Sequence, residues 1–151
     1  MKRKTDGMTT LNEFVIRTNA DLEPMWRVVM GPYPPGLRSL WMLLLDDDGR
    51  LLPVAVPIDD LPLLPDAALA AGLAANLDGL RELGEPVLLL SRPGPRRMTE
   101  ADRQWGRVLA PLTRWAVYLD TPSGLHVMAP DDLLPTRRSH RSDVRQANGD
   151  R

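Results

Sequence analysis

The sequence of 151 residues contains no cysteine, two histidines and a single phenylalanine. Without cysteine the chain can form neither a disulfide nor a cysteine zinc site, and this composition fits a reducing cytoplasm. A histidine zinc site is not predicted either, because His126 follows a turn near the last predicted strand and His140 lies in a polar tail. Lys2 and Lys4 are the chain's lysines, so 17 of its 19 basic residues are arginines. This skew is typical of a high-GC genome and makes clustered arginines weaker evidence for anion binding.

Long apolar runs are also missing. The longest strong ones, "LWMLLL" and "VLLL", are far shorter than the roughly 20 residues that cross a bilayer. The basic start "MKRK" is followed by polar residues where a signal peptide would be apolar, and both Met1 and Met8 are candidate starts. The sequence therefore predicts a soluble cytoplasmic protein without membrane contact, and its 43% hydrophobic residues are enough for a core.

Charge is unevenly distributed along the chain, although the formal net charge is only −1. Both ends are basic and the body between them is acidic. Basic tails of this kind are typical of ordinary solvated termini, and they are also compatible with a contact to nucleic acid. We predict a flexible leader over residues 1–19, a single domain over 20–134 and a disordered basic tail over 135–151.

Hydrophobic spacing and turn residues predict an alternation of strands and helices. Leu69, Leu73, Leu77 and Leu80 recur at helical spacing between a capping Asp66 and the terminating Gly84. The remaining predicted elements are a helix over 21–30, strands over 40–45, 50–57, 86–90, 115–119 and 125–128, and a helix over 99–112. This order predicts an α/β fold of the α+β type, with a mixed sheet in a single three-layer-like domain. A short N-terminal helix precedes β-hairpin, α, β, α and β-hairpin.

The segment "SRPGPRRMTEAD", which joins the third predicted strand to the second long helix, is the main candidate site. It lacks the glycine and lysine spacing of a phosphate-binding loop, and its prolines remove backbone donors. Arg92, Arg96 and Arg97 still lie beside a predicted helix N-terminus, which makes them candidate anion-binding residues. Thr99 and Asp102 have the spacing of a capping box, which accounts for both without a further role.

Other polar clusters do not assemble into a catalytic group. The acidic pairs in "IDDLP" and "PDDLL" are interpreted as turn or cap residues, with a shared carboxylate metal site as the alternative. Ser91 and Ser123 are candidate nucleophiles, but the G-x-S-x-G pattern is absent. No catalytic residue, metal ligand or cofactor is predicted.

The element order from Leu40 to Met128, with Pro-Gly and Thr-x-x-Asp around the central loop, resembles the RadC-type JAB domain, called JAMM when active. The resemblance implies a zinc site with two histidines and an aspartate, a nearby serine and a catalytic glutamate. In this chain Leu90 and Arg92 stand where the histidines belong. Thr99 and Asp102 match the serine and the aspartate at a spacing one residue shorter, and the first predicted hairpin has no glutamate. The resemblance thus implies a degenerate, JAB-like pseudoenzyme scaffold.

The chain is also similar to uncharacterised actinobacterial proteins. The similarity lies in four segments, which are Leu40–Arg50, Ile58–Pro62, Arg92–Trp105 and Pro130–Leu133. It implies a lineage that agrees with the arginine-rich composition, and it implies no activity.

These observations favour a non-catalytic protein-interaction module over an enzyme. Four tryptophans beside one phenylalanine agree with this hypothesis, since tryptophan is enriched at binding hot spots. The partner is an unknown protein or a second copy of the chain. One alternative is a metal-dependent or carboxylate-based hydrolase, and another is weak nucleic-acid or anion binding through Arg92, Arg96, Arg97 and the basic tail.

Overall fold

A computed structural model describes residues 13–31 and 36–133, which form one sheet and three α-helices. The strands are β1 (Ser39–Leu45), β2 (Leu51–Ile58), β3 (Glu85–Ser91), β4 (Val117–Thr121) and β5 (Gly124–Met128). The helices are α1 (Leu22–Met30), α2 (Ala67–Leu80) and α3 (Glu100–Leu109). Within the described part, none of the helices has the length and apolar character that a membrane span requires.

The five strands form one mixed sheet in the order β2-β1-β3-β4-β5. Antiparallel pairing joins β1 to both β2 and β3, and joins β4 to β5, whereas β3 and β4 are parallel. The predicted α/β class, the mixed sheet and the order of elements are therefore confirmed. The parallel pair brings the carboxyl ends of β3 and β4 to the same edge, with Ser91 beside Asp120.

Helices cover both faces of the sheet and make three layers. On one face, which we call the α2/α3 face, Leu77 and Trp105 pack with alternate residues of the strands such as Leu88. On the other, the α1 face, Met25 and Trp26 pack with the intervening strand residues. Because side chains alternate across a strand, the continuous apolar runs of β1 and β3 are buried on both sides.

Local turn chemistry explains why the first hairpin and α2 form where they do. Gly49 has a φ of +84° in the turn between β1 and β2, a conformation that favours glycine. The Asp66 carboxylate accepts a hydrogen bond from the Leu69 amide at 2.7 Å and caps α2. Pro53 and Pro57 lie in β2, which is an edge strand, where residues without an amide donor are tolerated.

Several predicted boundaries need correction. The predicted helix over 99–112 ends as an α-helix at Leu109 and continues as a 3-10 helix over Ala110–Leu112, because Pro111 has no amide to extend the α-helical bonds. The predicted leader also extends too far into the fold. Val15 pairs with Arg50, and Ile16 is 3% exposed, so this part of the predicted leader packs against the domain. The rest of the leader and the whole predicted tail lie outside the described residues.

Gly106 is the position where α3 touches the segment after β5, and its lack of a side chain permits the contact. A Cβ there would collide with Leu133 Cδ2 and lie 3.0 Å from Met128 Sδ. The close contacts should cost about 1–3 kcal/mol against the gain in helix propensity, so we expect Gly106→Ala to have a lower free energy of unfolding than the control below, measured by urea denaturation. Gly72→Ala is the matched control, because Gly72 lies on α2 with open space around it.

The control substitution should raise the free energy of unfolding by up to about 1 kcal/mol, since alanine is the better helix former. Equal stabilisation by both substitutions would contradict a close contact between α3 and Leu133.

Candidate functional site

A buried ion pair closes the loop between β3 and α3. Arg92 directly follows the last residue of β3, and Asp102 lies in the first turn of α3. Arg92 Nε donates to Asp102 Oδ1 at 2.7 Å, and Arg92 Nη2 donates to Asp102 Oδ2 at 2.7 Å. The Arg92 side chain is 2% exposed and the Asp102 side chain is fully buried. This bidentate geometry is the strong form of an arginine–carboxylate pair.

The remaining donors of Arg92 hold the backbone of its own loop. Nη1 donates to the carbonyl oxygens of Pro93 at 3.1 Å and Pro95 at 2.7 Å, and Nη2 donates to that of Arg97 at 3.0 Å. Gly94 turns the loop around the guanidinium with a φ of +100°. A guanidinium has five N–H donors, and all five are now occupied. The anion-binding prediction for Arg92 is therefore replaced by a structural role.

Thr99 and Asp102 form the capping box that their spacing predicts. Thr99 Oγ1 accepts from the Asp102 amide at 3.1 Å, and Asp102 Oδ2 accepts from the Thr99 amide at 2.9 Å. Burial by itself would raise the pKa of the Asp102 carboxyl, but the hydrogen bonds from Arg92 and from the Thr99 amide hold that pKa below its ordinary value of 3.8. Asp102 is therefore an anion at neutral pH, and three hydrogen bonds converge on it.

The other two predicted anion-binding residues do not join a buried site. Arg96 and Arg97 are exposed on the loop, and within the described residues their side chains make no hydrogen bond or ion pair. Arg38 lies beside the ion pair, because β1 and β3 are paired up to Ser39 and Ser91. Burial lowers the pKa of Arg38, and its Nε has no acceptor in the described part of the chain. Arg96 and Arg97 are therefore separate exposed cations of the loop, and Arg38 is a partly buried cation beside it.

His126 of β5 lies on the α2/α3 face near this loop. It is half-buried, as the sequence indicates, and it pairs across the ladder with Leu119. Burial lowers the pKa of His126, and the positive charges of Arg96 and Arg92 lower it further. His126 is therefore neutral at pH 7. His126 and Arg92 are far apart in sequence. They come close in the fold because β4 pairs with both β3 and β5.

Asp120 is a buried carboxylate that was not among the candidate site residues, and it directly follows the predicted strand over 115–119. It lies near the end of β4 on the α1 face, with 7% of its surface exposed. Burial raises the pKa of Asp120, and the charge of Arg27 lowers it only in part. No described residue donates a hydrogen bond to its side chain.

Of the acidic residues predicted as turn or cap residues, Asp132 has that role in the 3-10 turn Pro130–Leu133, whereas Asp59 bonds to a residue of β1. Asp59 accepts a hydrogen bond from Ser39 Oγ at 2.8 Å, and Asp132 accepts one from the Ala129 amide at 3.0 Å. In the described ranges, no group of three or more histidine, aspartate or glutamate residues is placed to hold a metal ion.

An open groove of about 650 Å³ lies between the C-terminal end of α3, the start of β4 and the end of β5. Apolar side chains make up most of its surface, and they include those of Pro111, Trp115, Val127, Met128, Pro130 and Leu133. Arg107 and Arg114 also line it, and the Arg114 guanidinium stacks 4.9 Å from the centre of the Trp115 ring. An exposed apolar depression with polar residues around it is typical of a surface that binds a protein, a membrane or a ligand.

β5 is the second edge of the sheet and borders this groove through Val127 and Met128. Val127 is 40% exposed, and no strand of the described part pairs with the outer side of β5. The two edges differ in chemistry, because β2 contains two prolines and β5 contains none. Prolines protect an edge strand from further pairing, so β5 is the edge that remains able to accept a strand.

Comparison with protein-family models finds no match, and comparison with curated proteins finds none either. The geometry of the chain itself is therefore the basis for a functional proposal.

Proposed function

We propose that this protein is a cytoplasmic, non-catalytic protein-interaction module that binds its partner along β5 and the adjoining groove. The observation that carries the proposal is an apolar groove continuous with an edge strand that has no proline. A partner segment in this position could bury apolar side chains against Trp115 and Met128 while it pairs with the main chain of β5. Apolar burial would supply affinity, and strand pairing would fix the orientation.

The β3–α3 loop supports a non-catalytic role. In the JAB-like scaffold that we propose, Arg92 stands at a histidine ligand position and Asp102 at the aspartate position. Both oxygens of Asp102 accept hydrogen bonds from Arg92, and one accepts a further bond from the Thr99 amide. The guanidinium thus supplies a fixed positive charge beside the carboxylate, where the resemblance implies a zinc ion. Such a pair stabilises the loop and leaves the carboxylate little capacity to act on a substrate.

Site-specific photocrosslinking in living cells tests the proposed surface. A benzophenone amino acid at position 127 should give a discrete protein adduct, because Val127 is exposed at the groove. The same probe at position 55 is the matched control, since Ala55 is exposed on the opposite edge strand. Ala129→Arg places a large charged side chain in the groove and should abolish the adduct from position 127.

Mass spectrometry of the adduct identifies the partner. Identical adducts from positions 127 and 55, or an adduct that survives Ala129→Arg, would overturn the assignment of the groove. The absence of any adduct at position 127 would overturn the interaction module itself.

A further inference from the structure

The open edge of β5 has a hydrogen-bonding pattern that matches a second copy of itself. We infer that the partner is another molecule of this chain, joined by antiparallel pairing of β5 with β5 across a two-fold axis to give a continuous ten-stranded sheet. This inference rests on the proposed interaction function and names its partner.

The direction of each main-chain group follows from the β4–β5 hairpin. Thr121 and Gly124 flank a two-residue turn, and the ladder pairs Leu119 with His126. In an antiparallel ladder, directly opposed residues alternate between pairs that exchange hydrogen bonds and pairs that do not. Gly124, His126 and Met128 therefore bond to β4, whereas the amides and carbonyls of Leu125 and Val127 point away from the sheet.

Only one self-pairing uses both outward residues symmetrically. The two-fold axis passes beside His126, so that Leu125 lies opposite Val127 of the second copy and Val127 lies opposite its Leu125. Each of these two pairs exchanges two hydrogen bonds. On the α1 face the pairing places apolar side chains together, and on the α2/α3 face it places the two His126 side chains directly opposite each other. An interface of this kind is isologous and closes after two subunits.

Charge also favours a second copy. The β5 strand, Gly124–Met128, has no aspartate, glutamate, lysine or arginine, so the two paired strands themselves oppose no permanent like charges. Natural edge strands that stay unpaired commonly have such charges or prolines, as β2 has Pro53 and Pro57. Val127 and Met128 belong to both the strand and the groove. The seam, by which we mean the contact between the two β5 strands, therefore runs along the groove of each subunit. It extends the buried apolar surface beyond the five residues of β5.

His126 makes the association sensitive to pH. The charged groups that act on it are Arg92 and Arg96 of the loop, Asp102 of α3 and Asp132 of the segment after β5. With its pKa lowered by burial and by the two arginines, His126 is neutral at pH 7, and the opposed imidazoles do not repel each other. Protonation on acidification would place two cations at the axis, so the dimer should dissociate as pH falls.

Sedimentation velocity of the purified chain over a concentration series tests the inference. The unmodified chain should sediment as a dimer at micromolar concentration and pH 7.5. Val127→Pro removes an outward amide from each copy, and two lost hydrogen bonds should raise the dissociation constant at least about tenfold. Ala55→Pro is the matched control, because Ala55 has the same outward register on β2 as Pro57. It should leave the dissociation constant unchanged.

A charge exchange at position 126 tests the position of the axis. His126→Asp and His126→Lys should each sediment as monomers at pH 7.5, since each opposes like charges. Their equimolar mixture should restore a dimer, because opposite charges then meet. Circular dichroism and thermal unfolding establish that each variant is folded.

Each outcome separates this inference from the proposed function. A strictly monomeric chain that still gives the adduct from position 127 with another protein would overturn self-pairing and leave the interaction module standing. A dimer that survives Val127→Pro, or that His126 charge variants do not affect, would overturn the β5 seam.

Discussion

Asp102→Ala should lower the free energy of unfolding by about 3–5 kcal/mol. The substitution leaves the Arg92 guanidinium, which is 2% exposed, without its counter-charge. It also removes the acceptor for Arg92 Nε, for one Nη2 hydrogen and for the Thr99 amide. A buried charge without a partner is among the most destabilising changes that a single substitution makes. Urea denaturation at pH 7 measures the loss.

Asp78→Ala is the matched control for this prediction. Asp78 pairs with Arg81 at 2.9 Å, but its side chain is 73% exposed. Water already solvates both charges of this pair, so its removal should change the free energy of unfolding by less than about 1 kcal/mol. The double variant Arg92→Met, Asp102→Ala should be more stable than Asp102→Ala alone, because it removes the unpaired cation. Equal losses from Asp78→Ala and Asp102→Ala would contradict a special role for burial.

The same ion pair predicts how stability depends on acid. Because the pKa of Asp102 in the folded chain lies below 3.8, ionised Asp102 favours the folded state above the unfolded-state pKa. This contribution is lost as pH falls through the lower, folded-state pKa. Asp102→Asn cannot ionise and lacks the contribution at every pH. The difference in unfolding free energy between the unmodified chain and Asp102→Asn should therefore shrink below pH 3.8, and a constant difference would contradict the ion pair.

Local sequence signals were sufficient to predict most of the fold. The leucines of α2 recur at helical spacing between Asp66 and Gly84, and the structure places the helix at Ala67–Leu80 between them. The two prolines of β2 agree with its edge position, since a proline cannot donate a hydrogen bond to a neighbouring strand. These features depend on residues that are close in sequence.

The candidate site was less predictable because its parts meet only through the sheet. Arg92 was predicted to bind an anion together with two other loop arginines. It is buried because the loop turns back at Gly94 and because the carbonyls of Pro93 and Pro95, which belong to no helix or strand, accept its hydrogen bonds. His126 comes near Arg92 through two successive strand pairings. Asp120 lies just beyond the predicted strand over 115–119, and nothing local indicated that β4 would reach Thr121 as an interior strand. The absence of proline in β5 says something about further strand pairing only when the strand order is known, because that order makes β5 an edge strand.

Trp105→Ala should lower the free energy of unfolding by about 3–5 kcal/mol, because it removes the largest side chain between α3 and the sheet. Trp105 is fully buried in the core of the α2/α3 face. Its Nε1 donates to the carbonyl oxygens of Pro62 at 3.2 Å and Leu63 at 3.0 Å, and so fixes the segment that leads into α2. Chemical denaturation followed by far-ultraviolet circular dichroism measures the loss.

Trp26 supplies the control that separates packing from hydrogen bonding. It is equally buried, on the α1 face, but its Nε1 has no acceptor within the described residues. Replacing either tryptophan with phenylalanine removes the same volume, whereas only Trp105→Phe also breaks hydrogen bonds. Trp105→Phe should therefore cost about 0.5–1.5 kcal/mol more than Trp26→Phe. If Trp26→Phe costs as much or more, the bonds to Pro62 and Leu63 add nothing, and core packing alone holds α3 against the sheet.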